Sequence, residues 1–338
     1  MKKERKTFHI CSIGGITLMA LMLFCALLLG VVLGSTKVSL TELWRGLFWK
    51  EEAHTASIIL YYLRLPRVFA ALLAGVGLSV SGVLLQSVTG NELAAPNIIG
   101  VNSGAGFCCI LLLTFFPKIS AALPFAAALG AFGTTLLIVS VAAKLNAFRG
   151  TVILCGIAFT SVLNAGISLL SLLDSDVLAA YNAFSVGGLS GVKFEQLWLP
   201  AAIIFTCLIL SLVLSRRIHL LCLGDALAAS LGVRVRALRL CCLLCASASA
   251  AAVVSFAGLL GFVGLVVPHI ARRLAGQRTS HVLLTSAFVG AILVILADLL
   301  GRVLLAPTEI PVGVIMALIG APFFFILLLQ RRDQGAAM

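Results

Sequence analysis

The sequence predicts an all-α integral membrane protein of about ten transmembrane helices, with short cytoplasmic helices between some of them. Three observations predict it. Hydrophobic residues make up 61% of the 338 positions and charged residues only 11%, too apolar and too uncharged for a chain folded in water. The apolar residues come in long continuous runs, not in alternating stretches of about ten residues, which selects helices over a closed barrel. The mean hydropathy of +1.17 coexists with a formal net charge of +12, because the basic residues gather at the borders of those runs.

The first run, 10–34, follows Lys2, Lys3, Arg5 and Lys6. It is longer than the apolar stretch of a signal peptide and reads as an uncleaved span; Gly30, Gly34 and Ser35 leave cleavage as the alternative. Eight more runs near the roughly 20 residues a span requires lie at 66–88, 96–116, 119–142, 151–173, 196–214, 236–256, 281–301 and 309–330. The stretch 257–270 is apolar but short, and Arg272 and Arg273 follow it. Basic residues flank both ends of the chain, at Lys2–Lys6 and Arg331–Arg332, and Lys and Arg favour the cytoplasmic side. Two cytoplasmic ends require an even number of crossings, so 257–270 is read as a tenth span. Inside segments then hold 16 of the 24 Lys and Arg, leaving Lys37, Arg45, Lys50, Arg64, Arg67, Lys118, Lys193 and Arg302 outside. The positive charge is thus topology, not a nucleic-acid surface.

Shifting the chain by 172 positions aligns Arg64, Arg67, Leu93, Pro96 and Ile98 with Arg236, Arg239, Leu265, Pro268 and Ile270. The helices so paired start on opposite sides, as in an inverted repeat, although Pro268 then falls on the wrong side of a ten-span chain.

Signals for enzyme chemistry are missing. No GxxxxGK[ST] phosphate loop and no HExxH occurs. Gly187-Gly188-Leu189-Ser190-Gly191 reads as a flexible external turn. His9, His54, His219, His269 and His281 form no ligand spacing, and no nucleophile–base pair stands out. Most of the ten cysteines lie in apolar runs, and Cys242-Leu-Leu-Cys245, lacking a second pair, reads as buried thiols. No metal site and no bound cofactor is expected. Asp298 is the clearest charge inside a span, with Arg302 one turn later on the same face. A helix-end ion pair is the plain reading, and a contribution to an external docking patch the sharper one. An ion-coupled secondary carrier, the alternative function, would need more buried carboxylates than this.

Four stretches in series resemble one permease family. They are Arg64-Leu-Pro-Arg67 leading through Gly75, Gly82 and Gln86 to Asn91-Glu92-Leu-Ala-Ala-Pro96 and Gly100; Leu223-Gly224-Asp225 with Ala228 and Leu231-Gly232-Val233; Gly261-Phe-Val-Gly-Leu-Val-Val-Pro268-His269-Ile270; and Ala297-Asp298, Arg302, Glu309-Ile-Pro311-Val-Gly313 with Gly320-Ala-Pro322-Phe-Phe324. Together they cover most of 60–330 within a single permease domain, 1–338. The family imports iron–siderophore complexes, haem and vitamin B12 through ATP-binding-cassette transporters. This chain has Glu92 and Asp225 where that family commonly has Pro and Glu.

The resemblance implies a transport subunit without its own ATPase site, in the cytoplasmic membrane, with both termini inside. It implies partners: an ATP-binding cassette ATPase that binds the ATP, an extracytoplasmic substrate-binding protein and a second permease, either another copy in a homodimer or a different paired permease, within membrane lipid and with no nucleic acid. The region 221–233 would be the coupling helix that docks the ATPase, through Leu223, Gly224, Asp225, Ala228, Leu231 and Gly232. Composition alone allows an amphipathic linker on the membrane surface. Arg64, Arg67 and Arg302 would meet acidic residues of the binding protein; snorkelling to lipid phosphates is the alternative. Arg149 and Gly150 would sit at a cytoplasmic gate. Helices around the third and fifth spans would line the path.

Overall fold

The computed structural model describes residues 13–36, 39, 41–42, 54–97, 100–144 and 149–335. All regular structure among them is helical. α1 (Ile13–Val32) is followed by a continuous helix that enters at His54–Ile58, widens to π geometry at Ile59–Arg64 and continues as α2 (Leu65–Thr89). Pro66 removes a backbone donor from this helix, and the π turn directly ahead of it absorbs the fault. Arg64 and Arg67 therefore belong to a helix, where the sequence placed them in a flank.

α3 (Val101–Phe115), α4 (Leu123–Lys144) and α5 (Arg149–Ser171) follow, then a short α6 (Ser175–Val186). The apolar periodicity did not announce α6. It is started by Asp174, whose carboxylate accepts from the Asp176 N–H at 2.8 Å. α7 (Trp198–Val213) turns by 63° into α8 (Ser215–Leu223), and α9 (Asp225–Ser230) comes after one glycine. α10 (Val235–Ala257), α11 (Val263–Ala275), α12 (Thr279–Val303) and α13 (Val312–Gly335) complete the chain.

α2 is the axis of the bundle. It packs against α10, α11 and α12, and nearly every residue from Pro66 to Thr89 is buried. Lipid supplies no hydrophobic drive between helices, so close backbone approach has to hold them. A Cβ on Gly75 would stand 2.2 Å from the Gly290 carbonyl oxygen of α12, and one on Gly82 1.9 Å from that of Gly264 on α11. Two serines fasten the crossing with α10: Ser81 donates to the Ala246 carbonyl at 2.7 Å and Ser249 to that of Gly77 at 3.0 Å. These pairs run in opposite senses, so α2 and α10 are antiparallel. Gly77 and Ser249 lie 172 positions apart, the offset of the sequence repeat. Equivalent helices that cross near a pseudo-two-fold axis meet at such a pair.

The short run at 257–270 takes a form that the sequence did not specify. α10 ends at Gly258, residues 258–262 are not helical, and α11 starts after Phe262, which has φ 64°. Thirteen helical residues reach only about 20 Å, so non-helical chain makes up the rest. That is tolerated in a membrane only where protein covers the backbone. Here Leu260 and Val263 are buried, and the Leu259 N–H reaches the Phe184 carbonyl.

Among the described residues, six helical segments are long and apolar enough to cross a membrane, seven with the bent α7–α8 pair, and α3 and Val312–Leu327 are shorter apolar helices. Adding α11 brings the crossings to about ten. α1 and α5 stand at the periphery, with only 17% and 11% of their spanning windows buried, against 89% for the helix containing α2.

Candidate functional site

The ends of α2 carry two polar constellations. Arg67 and Gln86 are 19 helical residues apart, about 28 Å, which matches the roughly 30 Å hydrocarbon core.

At the Arg67 end, Arg67 Nη2 lies 3.0 Å from Asp298 Oδ1, and its Nη1 bonds Glu309. Arg302 Nε is 3.0 Å from Asp298 Oδ2, one turn along α12. Asp298 is 1% exposed, Arg302 3% and Arg64 4%. Arg64 donates to the carbonyls of Val31 at 2.9 Å, Val32 at 2.6 Å and Thr36 at 2.8 Å, and Arg302 to that of Gly30 at 3.0 Å. The last carbonyls of a helix have no partner within it and carry partial negative charge. Two guanidinium groups thus cap α1, which explains why cations stand on the face that the positive-inside count gave to the outside. The charges of Arg64, Arg67 and Arg302, which the resemblance assigns to docking, are engaged inside the chain in this structure. What stays open is Glu309, whose side chain is 27% exposed. Burial would raise the Glu309 carboxyl, but hydrogen bonds from Arg67 and from Ser35 (2.7 Å) outweigh it and hold the group below its ordinary value. A cavity of about 400 Å³ opens beside it, between Arg67, Gly187–Ser190, Gly258 and Pro311. The glycine turn there is stitched down: the Gly188 N–H bonds the Ala257 carbonyl, the Gly313 N–H bonds that of Gly187, and Leu189 is buried. It is a packed corner of the fold, where the sequence suggested a flexible turn.

At the Gln86 end, Gln86 accepts from Arg272 of α11 and donates to the Gly264 carbonyl at 3.4 Å. Beside it lies the region of Leu223–Gly232. Gly224 (φ 129°) separates α8 from α9, and Gly232 (φ 81°) ends the segment after Leu231. Neither would find any atom within 4 Å of an added Cβ. It is the backbone conformation, not space, that calls for glycine there. Ala228 is fully buried and anchors α9, so of the residues grouped with the coupling surface it points inward. Leu223, Leu227 and Leu231 point outward, 58%, 47% and 58% exposed. Asp225 is bonded to Arg239, near the start of α10, at 2.6 Å. Sequence reasoning missed Arg239 and Arg272 as partners, because an arginine at a cytoplasmic boundary was fully explained by topology.

Arg149 and Gly150 open α5, but their side chains and residues 145–148 lie outside the described residues. Further along, α5 presents Ser161, Asn164 and Ser168 on one exposed face. No cluster of three or more His, Cys, Asp or Glu able to hold a metal occurs among the described residues.

The chain belongs to the FecCD transport family, whose pattern matches residues 20–330. It is 37% identical over 284 residues to the Fe(3+)-citrate import system permease protein YfmE of Bacillus subtilis, covering 83% of this chain and 85% of that one. It is 35% identical over 324 residues to the Iron(3+)-hydroxamate import system permease protein FhuG of the same organism, covering 93% and 95%. A solved structure described as an inward-facing conformation of a metal-chelate type ABC transporter superposes with a TM-score of 0.83 at 30% identity, covering 93% of this chain and 98% of that one.

Proposed function

We propose that this permease carries a ferric chelate inward, driven by ATPase subunits that dock on the Asp225 end, with that end and both termini in the cytoplasm. The observation that carries the reading is the outward row Leu223, Leu227 and Leu231, on a short segment beyond the spans that is bonded to α10 through Asp225 and Arg239. Apolar side chains facing water on so short a segment call for a protein partner. The Asp225–Arg239 bond gives that partner a rigid connection to a spanning helix that crosses the axial helix α2. A movement of the docked subunit is thereby passed to the core, as alternating access requires.

At the other end, the binding protein meets a surface that includes Glu309 and the adjoining cavity, with Arg64, Arg67 and Arg302 shaping it from beneath. Two copies of the chain form the path. Its lining includes the α5 face with Ser161, Asn164 and Ser168, polar groups that lipid would disfavour. Two relatives whose names specify Fe(3+)-citrate and iron(3+)-hydroxamate make a ferric chelate the first substrate class to offer.

The test is uptake into proteoliposomes holding this chain, its ATPase and its binding protein, with ferric citrate, ferric hydroxamates, haem and cobalamin supplied separately. Uptake of a ferric chelate that needs ATP and all three proteins is the expected result. Uptake by this chain alone under an ion gradient would replace the reading with a secondary carrier.

A further inference from the structure

Two irregular stretches of chain meet inside the bundle. One is 258–262, ahead of α11. The other follows α2: Gly90 (φ 64°) ends that helix, residues 91–97 are not helical, and Gly100 (φ 73°) precedes α3. This second stretch does not stay at the end of α2. A Cβ on Gly264 would stand 3.0 Å from Pro96 Cδ, 2.9 Å from the Leu78 carbonyl oxygen and 3.5 Å from the Gly82 Cα. Pro96 is therefore level with Leu78–Gly82 of α2, four to eight residues before Gln86, about 6–12 Å deeper in the bundle. After Gly90 the chain folds back along α2. Non-helical chain thus supplies part of the crossing that the 15 residues of α3 are too short to complete.

Ala94, Ala95 and Pro96 are buried, as irregular backbone at this depth requires. Asn97 breaks the pattern. It is exposed, and its amide nitrogen lies 3.5 Å from where a Cβ on Gly261 would be, in the other irregular stretch. Three residues on, a Cβ on Gly100 would lie 3.5 Å from the Oγ1 of Thr160 on α5, one turn before Asn164 on the face proposed for the path. A carboxamide turned to lipid tails loses its hydrogen bonds without compensation. An exposed asparagine at this depth therefore faces the path, and discontinuous helices are where transporters place their substrate contacts. Neither 93–100 nor 258–262 contains a charged residue, so any contact made here is a neutral hydrogen bond.

We infer that Asn97 is a substrate-contacting residue of the path, donating its amide hydrogens to oxygen atoms at the surface of the passing ferric chelate. A chelate that holds iron through oxygen leaves partly negative oxygens at its surface, and a carboxamide brings two N–H donors to them. Chelates that place those oxygens differently are thereby told apart. The inference rests on the ferric-chelate reading above.

The experiment uses the assembled transporter in proteoliposomes, with ferric citrate and a ferric trihydroxamate as probes. Vmax/KM is measured for both chelates in the unaltered chain, in Asn97→Ala and in Asn97→Gln. Loss of one neutral hydrogen bond should change the ratio of the two values by about two- to tenfold in Asn97→Ala, with ATP hydrolysis and unfolding temperature unchanged. Asn97→Gln, which keeps the amide, should lie closer to the unaltered chain. In parallel, Asn97→Cys is treated with a water-soluble thiol reagent. It should react above the background of the unaltered chain and be slowed by saturating chelate, whereas Ala94→Cys, on the same stretch but fully buried, should not react. An unchanged ratio in Asn97→Ala, or a reaction at Asn97→Cys that neither chelate slows, overturns the inference. A disulfide between the Asn97→Cys side chains of two copies makes the residue a contact between copies and overturns it as well. Should Asn97→Cys not assemble, the ratio in Asn97→Ala decides alone. If the unaltered transporter takes up neither chelate, the ferric-chelate reading fails and the ligand assigned to Asn97 fails with it, a result seen without any variant.

Discussion

Asp298 holds its charge between Arg67 and Arg302 in a segment surrounded by apolar side chains, and the same arginines reach Glu309 and the end of α1. Removing one member of a buried ion network leaves the others charged and unpaired, at a cost of about 3–5 kcal/mol. Asp298→Ala should therefore lower the thermal unfolding temperature in detergent sharply, whereas Glu309→Ala, at the rim, should lower it far less. Glu309 also sets a pH dependence. Its folded pKa is depressed, so its contribution is complete above the ordinary carboxylate value near 4.3 and is lost as pH falls through the lower folded value. Unfolding temperature should drop on acidification below about pH 4, and Glu309→Gln should flatten that part of the curve; an identical curve would remove Glu309 from the network. Asp298 and Arg302 could be paired from their spacing alone. Arg67 could not, because it comes from 231 residues away, and only folding shows that Arg64, Arg67 and Arg302 are already engaged.

At the scale of elements, hydrophobic length and basic borders located the spans, since lipid imposes both directly. They did not show that α11 completes its crossing with non-helical chain, because an apolar run of 14 residues looks the same whether it is helix or covered loop. The segment 221–233 was legible for a different reason: Gly224 and Gly232 mark its two breaks, and Leu223, Leu227 and Leu231 point outward from it. The glycines of α2 were visible as small residues, but their partners on α11 and α12 were not. Gly82→Ala would drive a methyl group into the Gly264 carbonyl, and Gly75→Ala would do so at Gly290. Overpacking of this kind costs about 1–3 kcal/mol. Each variant should melt earlier in detergent, whereas Gly133→Ala, where an added Cβ meets no atom within 4 Å, should not.

For the whole molecule, the peripheral α5 is the informative helix. It is among the least buried of the spans and exposes Ser161, Asn164 and Ser168 along one side. If that side lines a path between two copies, a cysteine at Asn164 will react with a water-soluble thiol reagent in assembled transporter. One at Leu129, an exposed residue of α4 that this arrangement turns to lipid, will not. Equal protection of both would remove α5 from the path. The central claim is that force from a docked ATPase enters the bundle through the bond between Asp225 and Arg239. Its most direct test is the number of substrate molecules taken up per ATP hydrolysed, measured for Asp225→Arg, Arg239→Asp and both together. The account predicts that each single reversal keeps ATP hydrolysis but loses at least tenfold in uptake per ATP, and that the double reversal recovers much of it. Full coupling in the single variants would contradict it.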